Sequence, residues 1–166
     1  FFTISDPNGQ VNILNNLNLE NTSLTGDIGV ILKGGARFLH NSSSGTYLGL
    51  NAGVIDGGSN CTGIGTNALR NNSEGNGNTA VGSNSQENNV LGGNNTSIGN
   101  FSLRSLGEGY SNTALGSGSL QSLGSGSYNT AVGVQSLLNA WQQDMDLYHG
   151  YNTALGFNSG SNITTG

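Results

Sequence analysis

The chain has 166 residues, of which 29 are glycine, with only 8% charged and 7% aromatic residues and a formal net charge of -5. An ordinary domain has about 25% charged residues, whereas disordered chains are rich in charge and proline, of which this chain has one. Four basic residues are too few to neutralise phosphates, so we expect no nucleic-acid partner. No apolar run approaches the roughly 20 residues that span a membrane. The composition therefore fits neither an ordinary domain nor a typical disordered chain.

Residues 1–44 precede the repeats and form the first predicted segment. Short apolar alternations there are broken by Asn, Asp and Gly, which predicts brief strands and turns. The segment has too few apolar residues to close a core alone, so we interpret it as a β-rich collar or shaft segment that needs partner chains. We interpret His40 as structural. The chain starts with Phe1 and has no signal-peptide layout, which favours a piece of a longer or processed protein.

Residues 45–166 repeat a unit that reads Asn, Thr, small, apolar, Gly. The closing glycines fall at 49, 65, 82, 99, 116, 133 and 156, so the spacings are 16, 17, 17, 17, 17 and 23. Such a period is typical of a repeat architecture. The complete units begin with Asn78, Asn95, Asn112, Asn129 and Asn152, and they end with Gly82, Gly99, Gly116, Gly133 and Gly156.

Two short strands in each 17-residue unit predict an all-β fold, a parallel β-solenoid with coils stacked at about 4.8 Å. Strand alternation puts the small and the apolar residue of each unit on opposite faces. The asparagines would form an axial column of paired amides, and six steps would give a rod of roughly 30 Å. We expect the second strand to contain the Ser-Leu half of each unit, with Leu69, Leu103, Leu120 and Leu137.

So little apolar surface in each coil predicts an assembly of several chains. Burial contributes about 25 cal/mol per Å², against an ordering cost of about 1 to 2 kcal/mol per residue. We therefore expect more than one chain on a common axis, and we favour three. Cys61 stands where the better units carry Asn, and we interpret it as a small buried residue. Alone, it excludes an internal disulfide.

The units NTAVGSNS, NTSIGNFSL, NTALGSGSL, NTAVGVQSL and NTALGFNS, with the lead-in at 29–53, resemble two known kinds of repeat. They resemble the head repeats of YadA-type trimeric autotransporter adhesins and, more closely, the shaft repeats of phage tail fibres. The resemblance implies a left-handed parallel β-roll in a homotrimer, extracellular or on a virion, that serves attachment. Its partners would be a host or cell-surface glycan or protein and neighbouring fibre or baseplate segments.

The main irregularity is a six-residue insertion within 138–150, which contains the only Trp and the only Met. Insertions in repeat proteins map to loops, often on the binding face. Aromatic rings stack on sugars, and Gln and Asp accept hydroxyl hydrogen bonds, so this loop is our candidate receptor contact. The alternative is that Trp141 and Leu147 only pack the loop onto the roll. The candidate receptor-binding residues are Trp141, Gln142, Asp144, Asp146, Tyr148 and His149.

The sequence favours neither metal binding nor catalysis. Asp144, Asp146 and His149 are close in sequence, but Ca²⁺ normally takes about six to eight oxygens and no calcium-loop pattern is present. The other acids are scattered, which does not suggest the paired carboxylates of a glycosidase. We therefore expect a non-enzymatic protein without cofactors or metals.

We predict a trimeric fibre segment of a phage tail that contacts a host receptor. A bacterial surface adhesin and a self-assembling extracellular filament remain open alternatives. A less favoured alternative is an ice-binding solenoid that presents a flat threonine array of Thr79, Thr96, Thr113, Thr130 and Thr153.

Overall fold

A computed structural model describes residues 28–33, 36–42, 44–53, 58–140 and 150–163. Within these ranges the fold is all-β without a helix, and one sheet contains its nine strands in chain order. The strands are β1 (Ile28–Lys33), β2 (Ala36–Ser42), β3 (Gly45–Leu48), β4 (Thr62–Ile64), β5 (Thr79–Val81), β6 (Thr96–Ile98), β7 (Thr113–Leu115), β8 (Thr130–Val132) and β9 (Thr153–Leu155).

The first three strands form an antiparallel meander that leads into the repeats. Strand β1 pairs with β2, and β2 pairs with β3 in a regular register that places Leu39 opposite Leu48 and His40 opposite Tyr47. Strand β2 therefore covers the N-terminal edge of the first repeat strand. An uncovered strand edge presents unpaired backbone groups that recruit other chains, and this edge is closed.

From β3 onward every strand pairs in parallel with the next one along the chain. Each threonine lies beside the threonine of the next coil, as in the pairs Thr79–Thr96 and Thr96–Thr113. The register is the same across the insertion, where Thr130 pairs with Thr153. The β-solenoid and its period of about 17 residues, predicted from the closing glycines, are confirmed.

Each repeat strand buries its small residue and turns its threonine and branched apolar residue outward. In β7, Ala114 is fully buried, whereas Thr113 and Leu115 are half-buried. A small side chain inside the coil allows the strand to approach the opposite wall closely, since consecutive strand residues point to opposite faces. The predicted separation of small and apolar residues is confirmed, and the apolar one faces away from the core.

The second half of each unit is not a strand, so that expectation is wrong. After Gly116 the chain forms consecutive turns, in which Ser119 N–H donates to the Gly116 carbonyl at 3.2 Å. The turns still connect coils, because Leu120 N–H donates to the Ser136 carbonyl at 3.0 Å. Consecutive tight turns close a narrow solenoid, which an extended strand does not do.

Four fully buried leucines adopt a left-handed backbone conformation that is unusual for their type: Leu69, Leu103, Leu120 and Leu137. Leu103 and Leu120 both have φ of 49° and are fully buried. The left-handed conformation costs about 1 to 2 kcal/mol per residue, whereas burial of a leucine side chain contributes about 1.5 to 3 kcal/mol. Burial therefore stabilises the turn that the local backbone disfavours.

The interior has two apolar clusters and a polar layer between them. One cluster surrounds Tyr47, and the other extends from Leu103 to Ala154. Between them Gln86 and Asn89 are fully buried at positions where later coils have leucine. The Gln86 amide donates to the Ser97 hydroxyl at 2.9 Å and accepts from Asn89 at 3.2 Å. These hydrogen bonds offset the desolvation of the Gln86 amide, whereas the buried Asn89 Oδ1 has no hydrogen-bond partner among the described residues.

The first coils depart from the consensus because Tyr47 occupies the position of the small residue. Its ring is buried, and a Cβ on Gly63, its neighbour in the next coil, would lie 2.8 Å from the ring carbon Cδ1. Glycine at 63 therefore makes room for the ring. This pair explains the degenerate sequence of the first two units.

Candidate functional site

The outer face of the sheet presents two parallel columns that no other part of the described chain covers. One is the threonine column, and beside it lies the outer apolar column. Within the outer apolar column, Ile64 is 39% exposed, Ile98 46% and Leu155 77%. Strands β4 to β9 carry no charged residue. The threonine column is Thr46, Thr62, Thr79, Thr96, Thr113, Thr130 and Thr153, and the outer apolar column is Leu48, Ile64, Val81, Ile98, Leu115, Val132 and Leu155.

A ladder of asparagine side chains holds the coils in register beside this face. Asn112 Nδ2 donates to Asn95 Oδ1 at 3.0 Å, and Asn152 Nδ2 donates to Asn129 Oδ1 at 3.0 Å. The same side-chain oxygen also accepts the backbone N–H of the next asparagine. The Asn112 N–H, for example, donates to Asn95 Oδ1 at 2.9 Å. Buried amides need such partners. The ladder therefore fixes the spacing at which the outer columns repeat.

Cys61 occupies the asparagine position of the second unit and is buried. Its thiol donates to the Gly75 carbonyl at 3.2 Å, as the Asn78 amide does to the Gly92 carbonyl at 2.7 Å. A thiol is a weak donor, and a buried free cysteine behaves mainly as a small apolar residue. The structure thus assigns Cys61 to packing.

The closing glycines stack so closely that no side chain fits between them. Their φ values lie between 119° and 144°, a backbone region that L side chains rarely adopt. At Gly49, a Cβ would lie 2.6 Å from the carbonyl oxygen of Gly65. Gly156 in the last described coil differs, because the nearest atom to such a Cβ is 4.0 Å away. Coil contact therefore requires glycine at the inner positions of this column.

On the turn side of the rod, Glu87 lies between Arg70 and Arg104. Arg104 Nε donates to Glu87 Oε2 at 2.9 Å, and Arg70 lies 3.9 Å from the other carboxylate oxygen. Burial raises the pKa of Glu87, but the hydrogen bonds from Arg104 and Asn84 and the two positive charges outweigh it, so the pKa is lowered. These charge interactions connect side chains of three consecutive coils.

The six predicted receptor-binding residues, Trp141, Gln142, Asp144, Asp146, Tyr148 and His149, lie outside the described residues. The described ends of the insertion are Ala140, which is buried in the larger apolar cluster, and Gly150, which bridges to Ser127 of the preceding coil. Gly150 therefore lies on the return-loop edge, whereas Ala140 lies in the core. We use the name return-loop edge for the residues just before each asparagine of the ladder.

The return-loop edge carries exposed tyrosines that the sequence reasoning missed. The rings of Tyr128 and Tyr151 stack with centroids 5.0 Å apart and planes 12° apart, and Tyr151 is 81% exposed. Tyr110, 47% exposed, lies one coil earlier, and its carbonyl accepts the Tyr128 N–H at 2.9 Å. The recurrence of tyrosine directly before Asn129 and Asn152 was the available sequence signal.

Within the described ranges, no group of three or more His, Cys, Asp and Glu side chains is placed to hold a metal ion. No helix in those ranges is long and apolar enough to cross a membrane. The site is thus defined by the two outer columns and the return-loop edge.

The fold and these surfaces define a parallel β-solenoid with an uncovered outer face. Comparison of the chain with protein-family models, with curated proteins and with solved structures finds no match.

Proposed function

We propose that this chain is a segment of a trimeric attachment fibre, in which three parallel copies meet along their outer faces and the return-loop edge contacts a receptor. The phage tail fibre is the favoured setting, with a bacterial adhesin or an extracellular filament as alternatives. The left-handed winding and the N-terminal collar at 1–44 belong to this proposal, as does the absence of catalytic activity. Incubation with host polysaccharide should accordingly release no sugar.

The observation that carries the proposal is the outer apolar column. An isolated solenoid would leave aliphatic side chains such as Ile64 and Ile98 in water along much of the rod. Contiguous exposed apolar patches usually mark interaction surfaces. Since β4 to β9 carry no charge, identical faces can meet without charge repulsion or the desolvation of ions.

A second copy of the same chain matches this column better than an unrelated partner does. The column repeats once per coil, as fixed by the asparagine ladder, so parallel copies in one register bring aliphatic residues together at every level. Three copies around one axis would also cover each face from both sides, as the resemblance to trimeric fibres implies. The column thus supports a closed symmetric assembly.

Light scattering of the purified chain tests the assembly. We expect three times the chain mass of 16.9 kDa, and a trimer that resists heating in detergent. Ile98→Lys should give monomers, since it places a charge in the interface at each of three symmetric positions. Ser105→Lys adds the same charge on the exposed turn side and should leave the trimer intact. A monomeric wild-type chain would refute the assembly.

The proposed receptor contact rests on the insertion and is tested separately. Trp141→Ala combined with Tyr148→Ala should abolish adhesion to host cells while light scattering still reports the trimer. Retained adhesion in this double variant would exclude these residues as the contact.

Ice binding is a second candidate, because the outer face presents the threonine column beside an aliphatic column at one coil spacing. Thr96 and Thr113 are half-buried, and Thr153 is exposed. This function requires the face that the trimer would bury, so the two candidates exclude each other. A monomer with thermal hysteresis would support ice binding, whereas a trimer without hysteresis would support the fibre.

A further inference from the structure

The return-loop edge contains a cleft of about 300 Å³ that the sequence pattern did not indicate. It is an open notch whose floor contains Gly93. Gly93 stands at the position that Asn76 occupies one coil earlier and Tyr110 one coil later. A Cβ on Gly93 would lie 3.0 Å from the Asn76 carbonyl oxygen, so the two neighbouring coils pack closely around this glycine. The notch is lined by Glu74, Asn76, Leu91, Gly93, Asn94 and Tyr110.

The walls of the notch are fixed by coil-to-coil hydrogen bonds. Asn76 is held from both sides, because its Oδ1 accepts the Ser59 N–H at 2.7 Å and its Nδ2 donates to the Glu74 carbonyl at 3.0 Å. On the other side, Tyr110 N–H donates to the Ser127 hydroxyl at 2.9 Å. A site with rigid walls loses little entropy when a ligand binds.

The lining combines an aromatic face with polar groups that have mixed hydrogen-bonding capacity. The Tyr110 ring leans over the glycine, since two of its carbons would lie 3.5 Å from a Cβ on Gly93. Leu91 is half-buried, whereas Glu74 and Asn94 are exposed. An amide both donates and accepts, and a carboxylate accepts only. A matching ligand therefore has a flat C–H face and several hydroxyl donors.

We propose that this notch binds one uncharged hexopyranose ring of a glycan, stacked on Tyr110 and hydrogen-bonded by Asn94 and Glu74. The cleft volume is at the lower end of the range of about 300 to 1,000 Å³ for small-molecule sites, which suits a single ring. No cation lines the notch, and the Glu74 carboxylate repels anions, so acidic sugars are excluded. This inference rests on the proposed attachment function and gives its ligand class.

The notch lies on the same edge as Gly150, the C-terminal end of the insertion, three coils earlier along the rod. The proposal concerns the notch alone, where an aromatic ring, amides and a carboxylate line one cleft.

Saturation-transfer NMR with the methyl glycosides of glucose, galactose and N-acetylglucosamine tests the proposal, with sialic acid as the acidic probe. We expect transfer to at least one neutral glycoside at millimolar concentration and none to sialic acid. Tyr110→Ala should weaken binding about tenfold, the loss expected from one ring contact. Gly93→Ser should do the same, because its Cβ would lie 3.0 Å from the Asn76 carbonyl oxygen and 3.5 Å from the Tyr110 ring, and its hydroxyl would crowd the notch.

Tyr128→Ala is the matched control, because it removes an exposed tyrosine of the same edge outside the notch and should not change binding. Absence of binding to every neutral glycoside, retained binding in Tyr110→Ala or Gly93→Ser, or lost binding in Tyr128→Ala would each overturn the proposal. Light scattering on the same samples separates the two proposals. A trimer without sugar binding refutes only the notch, and a sugar-binding monomer refutes only the trimer.

Discussion

The side-chain oxygen of Asn112 accepts two hydrogen bonds from Asn129, one from its backbone N–H at 2.9 Å and one from its side-chain amide at 3.0 Å. The Asn112 amide donates in turn to Asn95 and to the Gly126 carbonyl. One side chain thus joins three consecutive coils. This arrangement makes the asparagine ladder the first target for testing stability.

Asn112→Ala should destabilise the solenoid by about 3 kcal/mol, because it leaves buried donors and acceptors in both neighbouring coils without partners. Urea unfolding at fixed chain concentration measures the loss, since the stability of an assembly depends on concentration. Asn152→Ala is the control. Its side chain accepts nothing from a later described coil, so the cost should be about 1 kcal/mol. Equal losses of unfolding free energy in the two variants would contradict this role of the asparagine ladder.

The loss of stability when a closing glycine is replaced by alanine should depend on whether the backbone of the next coil lies against that glycine. Gly116→Ala places a Cβ against the backbone of Gly133 and adds the strain of a φ of 135°, so the coils must separate. Gly156→Ala adds strain alone, at a cost of about 1 to 3 kcal/mol. We expect Gly116→Ala to have the lower melting temperature by at least about 4 °C. Identical melting temperatures would show that glycine is needed for backbone conformation and not for close contact.

The buried polar layer around Gln86 should tolerate apolar substitutions only when hydrogen-bonded side chains are replaced together. Gln86→Leu alone removes the amide that donates to Ser97 and accepts from Asn89, and we expect a loss of about 1 to 3 kcal/mol. The triple variant Gln86→Leu, Asn89→Leu and Ser97→Ala copies Leu103, Leu106 and Ala114, which stand 17 residues later. Replacing both partners of a hydrogen bond by apolar groups is nearly neutral or stabilising, so the triple variant should be more stable than Gln86→Leu. A triple variant less stable than the single one in urea would contradict this account.

Stability should depend on pH through Glu87, whose pKa is lowered in the folded state. Its contribution is therefore complete above the unfolded pKa of about 4.5 and is lost as the pH falls through the folded value. Wild type should exceed Glu87→Gln in melting temperature at pH 7, and the gap should shrink in acid below pH 4.5. A constant gap between pH 7 and pH 3 would refute the linkage, and Glu108→Gln serves as an exposed control.

The period, the parallel strands and the faces of the strand residues were all predictable from the sequence. The spacing of the closing glycines determines the coil length, and alternation along a strand puts Ala114 and Leu115 on opposite faces whatever the rest of the chain does. These features depend on local sequence or on strict repetition, so every coil contains the same sequence signal.

Only the tertiary structure decided which face is the interior and how the second half of each coil turns. Alternation alone cannot tell that Ala114 points inward and Leu115 outward. Leucines of the turns, such as Leu120, already pack in the interior beside Ala114, so the strand contributes its smaller side chain there. The left-handed leucines have the same origin, since burial of Leu120 offsets a backbone preference that favours other conformations. The notch at Gly93 likewise exists only because stacking brings Asn76 and Tyr110, 34 residues apart in sequence, to its two sides.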